Sequence, residues 1–160
     1  MSWFKRIFSK SEATSPTEFN PTPARTDPFA TIGEALRQHS AELPAALTPE
    51  RRRQVHSIWT ETINTRAHDY ADLILTYPDR DTIAKLHVDT IMQVYLNGYM
   101  AAQGWITENV ALQSAFMLGR NLRDQIRGLG LPLDKLSANT GTTIDGALKS
   151  IVEVGIQSKA

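Results

Sequence analysis

From Val55 to Tyr77 the large residues recur at steps of three and four: Val55, Ile58, Trp59, Ile63, Tyr70, Leu73, Ile74 and Tyr77, with Thr62 and Arg66 in the same rows. Only an α-helix gathers residues at that spacing onto one side. A strand needs alternation at period two, and no segment of this chain sustains that between hairpin turns. The stripe predicts one helix of about 28 residues, roughly 40 Å long. Thr48 caps it, Pro49 occupies its first turn and Pro78 stops it.

The rest of the chain follows the same period. Asp27 as cap and Pro28 as first residue predict a helix through Phe29, Ile32, Leu36 and Leu43, ended by Pro44. A third helix opens at Asp79 or Asp81 and carries Ile83, Leu86, Ile91, Val94, Tyr95 and Met100 to Gly104. Thr107 caps a fourth, with Val110, Ala111, Phe116, Leu118, Leu122 and Ile126, ending near Gly128 and Gly130. Pro132 and residues 137–141 read as a loop with one short helical turn at most. Thr142 or Thr143 then starts a last helix carrying Ile144, Leu148, Ile151, Val152 and Ile156. Residues 91–96 would suit a strand in isolation, but they continue helical stripes on both sides. With no internal repeat and no long heptad run, the expected fold class is all-α. It is a bundle of about five helices over residues 29–158, behind a flexible N-terminal arm.

That arm has two parts. Residues 11–28 hold Pro16, Pro21, Pro23 and Pro28 among serines and threonines, which forbids a continuous helix and leaves too little apolar surface to fold. This stretch reads as an extended linker. Residues 1–10 read MSWFKRIFSK. Trp3, Phe4, Ile7 and Phe8 fall at i, i+1, i+4 and i+5, one narrow apolar face on a helix. Lys5, Arg6 and Lys10 take the other sides. Aromatics on one face with cations around them suit a helix lying in a membrane interface, where an indole keeps its ring apolar and its N–H wet; the same face would also suit a partner groove or a return onto the bundle itself. A segment this short gives weak, reversible attachment, so stable residence needs a second signal such as self-association or a membrane-bound partner. The charges at Lys5 and Arg6 split the apolar run, unlike a secretory signal, and Glu12 and Glu18 come early for a mitochondrial presequence.

Composition narrows the chemistry. Seventeen Lys and Arg balance seventeen Asp and Glu. That argues against bulk nucleic-acid binding, and no zinc or recognition-helix motif accompanies the basic clusters. The chain has no cysteine, which excludes disulfides, thiolate metal sites and a cysteine nucleophile. His39, His56, His68 and His87 form no H-x-x-x-H or E-x-x-H pattern, so no metal site is expected and the four read as surface or boundary residues. No serine sits in a G-x-S-x-G turn and no phosphate-binding loop is present. No catalytic residue and no cofactor is assigned.

Two features point to a partner instead. Arg51, Arg52 and Arg53 occupy the first turn of a helix, where the macrodipole opposes cations, so the fold gains nothing obvious from them. They suit an acidic protein, phosphate or phospholipid head groups; the competing reading is a solvated turn neutralised by Glu50 and its neighbours. Gly98 is flanked by Tyr95 and Tyr99, with Ala101 and Ala102 close by. Small residues there admit a second helix, either within the bundle or from a partner that the tyrosines would anchor. Arg120, Arg123 and Arg127 also form a stripe, but they lie near a helix C-terminus where cations are favoured and Asp124 is at hand.

The expectation is a non-enzymatic helical adaptor or scaffold, cytoplasmic and peripheral on an anionic membrane surface, whose bundle binds a protein partner or a second copy of itself. The alternative is a soluble helical subunit of a larger assembly, of secretion or phage-like type, whose arm docks on a partner protein.

Overall fold

The computed structural model describes residues 28–158. The arm at residues 1–10, the linker up to residue 27 and the Asp27 cap therefore lie outside the described residues. The fold is all-α: seven α-helices and one 3₁₀ turn, with no strand among the described residues. The helices are α1 (Pro28–His39), α2 (Leu43–Ala46), α3 (Pro49–Arg66), α4 (His68–Leu75), α5 (Arg80–Ala102), α6 (Glu108–Gly128) and α7 (Ala138–Ile156). The 3₁₀ turn, Leu133–Lys135, joins α6 to α7.

Three caps stand where the sequence places them. Thr48 Oγ1 accepts from the Arg51 amide (3.1 Å), Asp79 from the Thr82 amide (3.2 Å) and Thr107 from the Val110 amide (3.0 Å). Each satisfies an amide that the first helical turn leaves without an intrahelical acceptor. Gly104 and Gly130 close α5 and α6 with φ of 81° and 98°, a left-handed backbone that glycine adopts without steric cost.

Two expected helices are divided, which raises the count from about five to seven. The first ends at His39, whose carbonyl accepts from the Glu42 amide (2.9 Å). Pro44 does not terminate it; it occupies the first turn of α2. The long helix splits at Ala67, where φ is −132° and ψ is 56°. Residues 62–65, Thr-Ile-Asn-Thr, are poor helix formers, and the Thr65 hydroxyl donates back to the Glu61 carbonyl (2.7 Å). The interruption is one residue long: the Ala67 amide still reaches the Ile63 carbonyl (3.2 Å), and the Ala67 carbonyl takes the Ala71 amide (3.0 Å).

The last helix begins at Ala138, ahead of the expected Thr142. Ser137 is its N-cap residue, and a distant element holds it there. Asp69 of α4 accepts from the Ser137 amide (3.0 Å) and from Thr140 Oγ1 (2.8 Å). A carboxylate there also opposes the positive end of the helix dipole. These bonds hold the Asp69 carboxyl below its ordinary pKa.

α5 is the axis of the bundle. Every residue from 93 to 98 is buried, so this stretch has no solvent face. α7 lies along it, and the two backbones meet at Gly98 and Gly155. A Cβ at Gly98 would collide with the Val152 carbonyl; one at Gly155 would strike the Tyr95 carbonyl and the Tyr99 amide. Around this pair, α3 contributes Val55, Trp59 and Ile63, and α6 contributes Leu118, Leu122 and Ile126. α1 covers part of α6 with Ile32, Ala35 and Leu36. No helix among the described residues is long and apolar enough to cross a membrane.

Candidate functional site

α3 and α5 run antiparallel and touch only sparsely, leaving a groove between them. Its narrow part, about 260 Å³, lies between the second half of α3 and the first half of α5. Trp59, Ile63, Ile83 and Ile91 form its floor, and Ile74 of α4 closes one side. Towards the start of α3 it opens into a mouth of about 700 Å³ between Arg52, Arg53 and His56 on one helix and Val88 and Met92 on the other. Ser57, Thr60 and Glu61 complete that rim.

The arginine cluster thus stands at the mouth of the groove. Arg51 is half-buried and donates from Nη1 to Gln54 Oε1 (3.0 Å). Arg52 and Arg53 are exposed, and neither has a hydrogen-bond or ion-pair partner among the described residues. The other basic stripe is mostly paired. Arg123 meets Asp145 (3.4 Å), and Arg127 meets Asp124 (2.9 Å) and Asp134 (3.7 Å).

The expected partner-facing group at Tyr95, Gly98 and Tyr99 is corrected by the fold. Tyr95 is buried, and its hydroxyl donates to the Ala46 carbonyl (2.9 Å), tying α5 to α2. Gly98 is filled by α7 of the same chain. Neither offers surface to another molecule, because the small-residue face of α5 is occupied from within. Tyr99 is half-buried and stands edge-on to Trp105, with ring centroids 5.9 Å apart. Trp105 in turn stacks on His39 at 3.7 Å. Trp3, Phe4, Lys5, Arg6, Ile7, Phe8 and Lys10 lie outside the described residues.

At the inner end of the groove is a constellation that sequence reading missed. His87 is buried rather than at the surface or boundary. Its Nδ1 lies 2.7 Å from the Ile83 carbonyl and its Nε2 lies 2.7 Å from the Tyr70 hydroxyl. A carbonyl only accepts, so Nδ1 carries the proton and Nε2 accepts from Tyr70. Burial lowers the pKa of the ring, which keeps it neutral, and burial raises that of the Tyr70 phenol, which keeps its proton. Trp59 packs on the same imidazole with centroids 5.7 Å apart. The signal was present: His87 falls in the stripe Ile83, His87, Ile91, at steps of four. Both ring nitrogens are occupied, so the cluster joins α4 to α5 and offers no free base to a substrate. Among the described residues no group of three or more His, Asp or Glu is placed to hold a metal ion.

No family model, curated protein or solved structure matches this chain.

Proposed function

We propose that this chain is a non-enzymatic helical adaptor, peripheral on the cytoplasmic side of an anionic membrane. Residues 1–10 lie in the interface, and the bundle binds a protein partner or a second copy of the chain. The observation that carries the reading is the spacing of Trp3, Phe4, Ile7 and Phe8 against Lys5, Arg6 and Lys10. The described residues form a helical bundle with a hydrophobic core that runs from Ile32 to Val154. The proline-containing stretch between the arm and the bundle is long enough to let the bundle stand off a surface. Arg52 and Arg53 are the anion-facing contact surface of the bundle.

Co-sedimentation of the full chain with phosphatidylglycerol-containing vesicles tests the reading. Pelleting that weakens with added salt supports it, because cations near a charged surface act through screened attraction. A stoichiometric complex with a soluble assembly, formed equally well without lipid, would favour an arm that docks on protein.

A further inference from the structure

The groove between α3 and α5 is polarised from end to end, and we infer that it holds a single-chain amphiphile with an anionic head, its head on Arg52 and Arg53 and its tail along Trp59, Ile63 and Ile74. The length is set by the helices. Arg52 to Asn64 on one wall is 12 helical rises, roughly 18 Å of helix. The antiparallel course places Met92 opposite the arginines and Ile83 opposite Ile63.

Charge decides which end takes the head. Arg52 and Arg53 have no acidic partner among the described residues; Arg52 ends the first turn of α3 and Arg53 follows it, near the helix end whose dipole attracts an anion. Glu61 is the single acid of the mouth, leaving an excess of positive charge there. At the inner end Arg80 is flanked in sequence by Asp79 and Asp81, so that end carries no excess cation. His87 in the floor is neutral and fully hydrogen-bonded. The inner end therefore suits hydrocarbon.

Lining chemistry favours an acyl chain: the slot of about 260 Å³ is faced by Trp59, Ile63, Ile74, Ile83 and Ile91, an apolar surface that hydrocarbon matches without polar partners. An extended alkyl chain fits, and the wider mouth accepts a carboxylate or a phosphate head. A free fatty acid and a lysophospholipid share this chemistry.

The inference rests on the reading of Arg52 and Arg53 as a contact surface and not on the membrane arm. The test uses the full chain and palmitate bearing bromine at mid-chain, which quenches a tryptophan only on contact. Saturable quenching is expected, and Trp59→Phe removes it although Trp3 and Trp105 remain. Arg52→Gln with Arg53→Gln weakens binding about tenfold or more, the loss expected for charge-assisted contacts. The uncharged methyl ester binds as weakly to the natural chain as the acid does to that variant. Val88→Lys, at a half-buried wall position, abolishes binding with an unchanged helical spectrum. A lysophosphatidic acid that displaces the palmitate identifies a phosphate head as acceptable. Quenching that persists in Trp59→Phe, or an affinity unaffected by the loss of both arginines, would overturn the site. Loss of vesicle pelleting with palmitate binding retained would sink the membrane arm and leave the groove standing.

Discussion

The Tyr70 hydroxyl donates to His87 Nε2 over 2.7 Å, while Nδ1 of the same ring donates to the Ile83 carbonyl. This pair fixes one tautomer and one charge state in the core, and the neutral ring makes stability depend on pH. In the unfolded chain a histidine titrates near 6.5, whereas burial lowers the pKa of His87 in the folded protein. Below pH 6.5 the unfolded chain binds a proton that the folded chain refuses. Stability is therefore complete above that pH and falls as pH drops, by up to about 1.4 kcal/mol per pH unit until the folded ring also protonates. Urea denaturation at about pH 7.5 and about pH 5.5 measures the difference. It should shrink in His87→Gln; an equal difference in the variant would mean that another group carries the dependence.

The contact of Gly98 with Gly155 gives a second prediction. Ala at Gly98 forces a methyl group into the Val152 carbonyl, and neither backbone can retreat without separating α5 from α7. Overpacking of this kind costs about 1–3 kcal/mol. Gly146 is the control, since it is exposed in α7 and a Cβ there meets nothing within 4 Å. Gly146→Ala should stabilise by about 0.5–1 kcal/mol through helix propensity alone. Denaturation midpoints moving in opposite directions support the crossing; a neutral Gly98→Ala would refute it.

Asp69 holds the start of α7 from 68 residues away in sequence. Asp69→Ala should lower stability by about 0.5–2 kcal/mol, through loss of its hydrogen bonds to Ser137 and Thr140. The sign of its pH dependence follows from a folded pKa held below 3.8. The stabilisation is present above that pH and is lost as pH falls through the folded pKa. Amide exchange in the first turn of α7 checks the location: protection at Thr140 and Gly141 should drop in the variant, while α6 is unchanged. Equal loss in both helices would mean that Asp69 supports the bundle generally.

Much of this architecture was legible in the order of residues, because helical caps and apolar stripes are local signals. Thr48, Asp79 and Thr107 start the helices that their sequence positions predict. Val55, Trp59, Ile63 and Tyr70 are buried, as their shared stripe implies. What stayed hidden depends on partners far along the chain. Asp69 is an ordinary exposed-looking acid until α7 comes to it, and the start of α7 was misplaced for the same reason. Tyr95 and Gly98 share features with an external interface, and only the position of α7 shows that the bundle itself fills it. The break at Ala67 had a weak local sign in Thr62 and Thr65, overridden by a stripe that continues across it. The groove was invisible for a simpler reason. It exists because α3 and α5 touch only sparsely, and no local pattern of residues reports how closely two helices pack.

The most direct measurement of the central claim is sedimentation of the full chain, natural and with Trp3→Ala plus Phe4→Ala, with neutral and with phosphatidylglycerol-containing vesicles. The natural chain should pellet with anionic vesicles at low salt, neutral vesicles should retain much less, and the double variant should stay in the supernatant. Equal pelleting of the natural and doubly substituted chains would contradict the assignment of residues 1–10 to the membrane interface.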